Sequence, residues 1–219
     1  MMPLFPLGTV LFPGLVLPLH VFEDRYRQLV QDLSGRREPR RFGVIAIREG
    51  RETGEAGVTS LYQVGCVADV REVAEREDGT YDLITVGSDR FRLGEIDRSR
   101  PYLRASVELL PEPAGADADA ALIVPAVRQA FRRYLDVLAT TGPATIKVPD
   151  LPDEPVLLSY LIAAAMIIDL PARQDLLAAP DAVSRLTAER VTLARETALL
   201  SLLGSTPATD LRSAPYSPN

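Results

Sequence analysis

The stretch that decides how this chain is read runs from Pro3 to Phe22, P-L-F-P-L-G-T-V-L-F-P-G-L-V-L-P-L-H-V-F, and turns charged at once in Glu23-Asp24-Arg25. A run so long and so apolar has the dimensions of a membrane helix or the core of a secretion signal. Its punctuation argues against both. Pro3, Pro6, Pro13 and Pro18 recur through it, together with Gly8 and Gly14. Each proline inside a helix removes a backbone donor and clashes with the turn before it, at a cost of about 3 kcal/mol. No basic segment precedes the run, as a signal peptide requires. The conformation left is extended chain, cut into short strands by Pro and Gly. In a strand, Leu15, Leu17, Leu19 and Val21 point one way, and Val16, Pro18, His20 and Phe22 the other. Both sets are largely apolar. Either both faces are buried, or one is an apolar surface held for a partner.

The rest of the composition narrows the chemistry. At 219 residues the chain has room for one large domain or two small ones with a sizeable core. Hydrophobic and charged contents of 47% and 25% are those of an ordinary globular chain. A net charge of −6 argues against nucleic acid as the main partner, because phosphate binding is driven by Lys and Arg. The single cysteine, Cys66, excludes an internal disulfide, and no targeting segment is visible; both point to the cytoplasm. Lys147 is the only lysine and His20 the only histidine. No G-x-x-x-x-G-K-[ST] loop offers a phosphate cradle, and no G-x-S-x-G elbow offers a nucleophile. A Ser-His-Asp triad would have to draw His20 out of the apolar block. A Cys-His pair would need Cys66 from the apolar face of a strand. The expectation is a non-enzyme with no cofactor and no metal site.

Taken in order, Glu23 to Leu33 reads as a short helix, with Tyr26, Leu29, Val30 and Leu33 on one face and Gly35 set to end it in the left-handed conformation. Arg36, Arg37, Arg40 and Arg41 share the next loop, which reads as solvated in the absence of interleaved aromatics. Phe42 to Arg48 is a buried-strand candidate and Glu49 to Ser60 a loop. Tyr62 to Val73 alternates, with Tyr62, Val64, Cys66, Ala68 and Val70 inward and Gln63, Asp69 and Arg71 toward water. Asp78-Gly79 marks a hairpin turn. Tyr81 to Val86, Phe91 to Ile96 and Tyr102 to Leu110 read as three further strands.

Pro111 to Asp119 breaks every period and reads as a linker, after which the β signals stop. Ile123, Val127, Phe131, Tyr134 and Leu138 form one helical stripe. Asp153 is placed to cap a helix with Pro155 in its first turn. Val156 to Ile168 is apolar nearly all round, yet shorter than the roughly 20 residues a bilayer needs, so it reads as a central buried helix. Leu176 and Leu177 sit in a short helix, and Val183 to Leu203 is a long one ended by Gly204.

Three of these strings resemble one family. P-L-F-P-L-G-T-V-L-F-P-G-L-V-L-P-L-H-V-F-E-D-R-Y-R-Q-L-V resembles the opening of the N-terminal, substrate-recognition domain of Lon proteases. Y-Q-V-G-C-V-A-D-V, then D-G-T-Y-D-L-I-T-V-G-S-D-R-F-R-L, resembles its second signature block, with Gly87, Arg90 and Phe91 at that block's Gly and Arg-Phe positions. Arg90 reads as structural, a tie between strands. The string from D-E-P-V-L-L-S-Y-L to P-D-A-V-S-R-L resembles the domain's helical part. The resemblance implies an α+β protein: a PUA-like β pseudobarrel with one short helix, followed by a helical bundle. That agrees with strands first and helices second. The expected division is a β-rich part over 1–110, a linker at 111–120, a helical part over 121–204 and a tail at 205–219. The ATPase and the Ser-Lys peptidase of Lon belong to separate domains. The resemblance therefore implies a stand-alone, non-catalytic module.

With catalysis set aside, the apolar opening carries the functional expectation. Leu11, Phe12, Pro13, Leu15, Val16, Pro18, His20 and Phe22 are the candidate binding residues for hydrophobic peptide. The prolines also suit an edge strand open to pairing with an extended segment. The opposing reading makes every one of these side chains core, with His20 a hydrogen-bonded structural residue. The expected partners are unfolded or partly folded client proteins, together with a protease or chaperone to which clients are recruited, or a second copy of the chain. No membrane or nucleic acid is expected. The alternatives are a PUA-like small-molecule or RNA binder, a structural homodimerisation domain, and a cryptic peptidase.

Overall fold

The structure is a computed structural model and describes residues 1–35, 39–50, 58–141 and 150–204. Arg36, Arg37, Lys147 and the tail at 205–219 lie outside the described residues. The strands come first: β1 (Met2–Leu7), β2 (Val16–Val21), then helix α1 (Asp24–Ser34), β3 (Arg41–Gly50), β4 (Val58–Leu61), β5 (Val64–Glu75), β6 (Tyr81–Asp97) and β7 (Arg104–Leu109). The helices follow: α2 (Asp117–Thr141), α3 (Pro155–Ala165), α4 (Leu170–Ala178) and α5 (Ala182–Gly204). This is the expected α+β architecture.

The seven strands form one sheet in the order β1-β7-β6-β5-β3-β4, with β2 attached to β6. A parallel pairing of β1 with β3, Leu4 opposite Gly43 to Leu7 opposite Ala46, brings the order back on itself. β1, β7, β6, β5 and β3 therefore close a small barrel, and β4 and β2 are side branches. Gly43 and Gly65 allow its tight radius at Phe91: a Cβ on either would stand within 3 Å of that ring, at 2.8 Å and 2.4 Å. Helix α1 buries Tyr26, Leu29, Val30 and Leu33 against Phe5, Phe42, Tyr81 and Leu83, and the Phe5 and Tyr26 rings stack at 4.1 Å.

Several expectations are corrected in detail. Tyr81–Val86 and Phe91–Ile96 are one strand of 17 residues. Gly87 does not break it; it makes room for the N-terminal segment, since a Cβ there would lie 2.4 Å from the Phe12 carbonyl oxygen. Val58–Leu61 pairs with β3, so Ser60 is in a strand and not a loop. In β5 the wet face begins only at Asp69, because Gly65 and Val67 are buried along with Val64, Cys66 and Ala68. Gly35 ends α1 in the right-handed region, at φ −75°. Glu154, not Asp153, caps α3: its carboxylate accepts from the Val156 and Leu157 amides. Asp153 pairs instead with Arg128 at 2.7 Å. α3 is not buried all round, since Leu157 remains 53% exposed. The Asp78-Gly79 hairpin forms as expected, with Gly79 at φ +76°.

The helices meet the barrel through an apolar contact and a buried polar knot. Phe12 lies against Tyr160 of α3, ring centroids 6.1 Å apart. Behind it, Arg90 of β6 donates to Glu112 Oε2 at 2.6 Å, to the Pro111 carbonyl, and to the Leu177 and Ala179 carbonyls. Arg90 thus ties the sheet to the segment between β7 and α2 and to the end of α4, not strand to strand. Arg185 of α5, fully buried, donates to Glu112 Oε1 at 2.9 Å, to Ser159, to the Tyr160 hydroxyl and to the Leu176 carbonyl. Its guanidinium lies 3.9 Å over the Tyr160 ring, whose hydroxyl also donates to Glu112. Two cations share one carboxylate here. The Leu176, Leu177 and Ala179 carbonyls, at the negative end of the α4 dipole, accept from both guanidinium groups.

Candidate functional site

β2 exists because Pro13-Gly14 turns the chain, with Gly14 at φ +79°. The Gly14 amide donates to the Gly87 carbonyl and the Gly87 amide returns a bond to the Leu15 carbonyl, which sets the register. Val16 then lies opposite Val86, Pro18 opposite Ile84 and His20 opposite Asp82. Leu15, Leu17, Leu19 and Val21 turn inward and pack against the barrel core around α1.

The other set faces out. Val16 is 60% exposed and Phe22 54%, and Pro18 and His20 are also exposed. Across the ladder, Ile84 is exposed and Val86 half-buried. These side chains make an apolar strip over β2 and β6. Between Pro18 and Phe22 the strip is interrupted: His20 Nδ1 is 2.8 Å from Asp82 Oδ1, and Arg76 donates to the other Asp82 oxygen at 2.6 Å. The bond from His20, then that from Arg76, holds the Asp82 carboxyl below the usual range.

The eight candidate residues divide. Leu11 and Phe12 are core, 4% and 2% exposed, so they are corrected from binding to structural residues. Phe12 is held by Tyr160 and the tight approach of Gly87; Leu11 belongs to the α1 cluster. Pro13 and Leu15 are half-buried. Val16, Pro18, His20 and Phe22 share the outward face, with His20 hydrogen-bonded across it.

Beside β2 lies a groove of about 220 Å³. Phe5, Pro6 and Leu7 of β1 form one wall and Pro18 to Phe22 the other, with Glu23 and Tyr26 closing it. The part played by β1 and by Ile84 and Val86 was not anticipated. The signal for the latter pair was present in D-L-I-T-V, which, like β2, carries apolar residues on both faces.

Among the described residues, the one cysteine and the one histidine are not brought together. Cys66 is fully buried and burial pushes its thiol far up, away from the reactive range. His20, its only candidate partner, is on the solvent side. Among the described residues no group of three His, Cys, Asp or Glu could hold a metal ion, and no helix is long and apolar enough to cross a membrane.

The family profile of the ATP-dependent protease La (LON) substrate-binding domain matches residues 1–195. The chain belongs to that family. Among its relatives, Lon protease 2 of Sorangium cellulosum is 34% identical over 163 residues, which is 74% of this chain and 20% of that protein. Lon protease 2 of Syntrophobacter fumaroxidans is 31% identical over 174 residues, 80% of this chain and 22% of that one. The chain thus spans about a fifth of the length of these relatives, and the match falls in the substrate-binding domain, not in a catalytic one. In fold, it is similar to the Lon N-terminal domain protein of Xanthomonas campestris, with TM-score 0.58, 22% identity and coverage of 94% of this chain and 98% of that one. The N-terminal domain of a Mycobacterium avium complex Lon protease gives TM-score 0.61 at 19% identity, covering 90% and 97%. The Lon substrate-binding fold thus accounts for the barrel and the helices together.

Proposed function

We propose that this Lon substrate-binding domain is a non-catalytic recognition module for exposed apolar segments of unfolded or partly folded proteins, and that it recruits them for proteolysis or quality control. The observation that carries this reading is the outward face of β2. Val16 and Pro18 stand exposed beside Ile84, and Phe22 stands exposed on the far side of His20, although the same strand satisfies the core with its other face. Apolar side chains grouped on one face are costly to leave in water, and such grouping is what a surface for apolar partners requires. Burying what Val16, Phe22 and Ile84 leave exposed contributes about 1 kcal/mol each. That suits modest affinity for many sequences over tight affinity for one.

A photo-crosslinking amino acid at position 16 or 22, with casein as an unfolded client, tests the reading. Both positions should label casein well above position 191, which is equally exposed but lies on α5. Equal labelling from all three would defeat it.

A further inference from the structure

We infer that the groove between β1 and β2 is a strand-acceptor site: an extended, uncharged, apolar segment of a client pairs by backbone hydrogen bonds with the open edge of β2. The inference rests on the function proposed above and specifies how that site holds its ligand.

Three observations carry it. First, β2 pairs on one side only, with β6, among the described strands. Because the Gly87 amide bonds the Leu15 carbonyl and antiparallel pairs alternate, Leu17, Leu19 and Val21 spend their backbone groups on β6. Val16, Pro18 and His20 turn theirs to the open edge, where among the described residues nothing bonds them. Pro18 fits this parity, since it has no amide to give. The edge therefore offers carbonyls at Val16, Pro18 and His20 and amides at Val16 and His20, spaced about 7 Å apart along the strand. Only another extended backbone matches that row.

Second, the groove is lined by consecutive residues, Pro18 to Phe22 on one wall and Phe5 to Leu7 on the other. A depression on a sheet face touches alternate residues; one that touches consecutive residues runs along a strand edge. Its volume of about 220 Å³ is that of a short stretch of side chains, not of a large cofactor.

Third, the charges around it are already matched within this chain. Glu23 pairs with Arg25 at 2.8 Å, Asp24 with Arg27 at 3.0 Å, and Asp82 with both His20 and Arg76. Among the described residues that line the groove, a charged ligand side chain would meet only groups already paired, whereas an apolar one meets Phe5, Tyr26 and Phe22.

The test uses the whole chain and a fluorescein-labelled peptide of alternating leucine and serine. Amide exchange followed by NMR should slow at Val16 and His20 when the peptide binds, and stay as it was at Leu17 and Leu19. Pro18→Val, which adds an outward amide at an exposed strand position, should tighten binding several-fold. Peptide binding that is abolished by Val16→Asp yet leaves the Val16 and His20 amides unchanged would overturn strand addition alone. Absence of peptide binding, or binding indifferent to Val16→Asp, would overturn the proposed function as well. Protection of the two amides in the free protein, rising with its concentration, would assign the edge to a second copy and overturn the client assignment.

Discussion

Replacing Glu112 by Gln should cost this protein a large part of its stability, although the change is nearly isosteric. Glu112 accepts from Arg90 at 2.6 Å, from Arg185 at 2.9 Å and from the Tyr160 hydroxyl. The side chains of Arg90 and Arg185 are 2% and 0% exposed. Neither can recover water when the carboxylate goes. The glutamine oxygen can accept from one arginine, while its amide hydrogens face the other. Breaking a buried pair in this way costs about 3–5 kcal/mol. Glu112 itself is 26% exposed, which puts the expectation at the lower end, about 3 kcal/mol. A domain has about 5–15 kcal/mol in total. At about 2–4 °C per kcal/mol for a chain of this size, Tm should fall by roughly 6–12 °C. Thermal unfolding followed by circular dichroism, with urea titration for the free energy, reads the change. Glu108→Gln is the internal control: its partner Arg92 lies at 3.0 Å, but both side chains are largely in water, 70% and 56% exposed, so Tm should not move. If Glu112→Gln and Glu108→Gln behaved alike, the knot between sheet and helices would not be the stabilising element described.

Two other perturbations follow from buried groups. Glu189 is fully buried and its carboxylate oxygens have no hydrogen-bond partner among the described residues; burial holds its pKa well above the ordinary range, against the pull of Arg185. A carboxyl raised in the folded state costs stability as pH climbs past its unfolded value of about 4.3, by up to about 1.4 kcal/mol per pH unit. Glu189→Gln should therefore raise Tm at pH 7 and match the wild type near pH 4; a uniform loss at both pH values would contradict this. Gly87→Ala should destabilise by about 1–3 kcal/mol, because the new methyl would sit 2.4 Å from the Phe12 carbonyl oxygen; an unchanged urea midpoint would show that the N-terminal segment yields freely.

What the residues alone disclosed follows the physics of each signal. The proline-broken opening ruled out a helix, and the period of two in V-L-P-L-H-V placed Val16, Pro18, His20 and Phe22 on one face. Which face met water was not readable, because both are apolar and only the barrel's curvature decides. Leu11 and Phe12 looked like part of the same surface because burial of a loop depends on distant partners: Tyr160 stands far along the chain from Phe12. The continuous run of β6 was hidden by Gly87, whose usual meaning is a turn and whose meaning here is close approach. The cap at Glu154 was missed in favour of Asp153, since either side chain can accept amides and the choice follows from Arg128 engaging Asp153. The knot of Arg90, Glu112 and Arg185 joins residues far apart in sequence, and no local pattern announces it.

The central claim is that the outward face of β2 holds client segments. Its most direct test is the affinity of labelled casein for the wild type and for the Val16→Asp, Phe22→Asp double variant, by fluorescence anisotropy, with Tm measured on the same samples. Both side chains are more than half exposed, so the fold should be kept and Tm unchanged. The account predicts an affinity loss of at least about tenfold, equivalent to roughly 1.4 kcal/mol. Casein binding of equal strength to a double variant of unchanged Tm would contradict it.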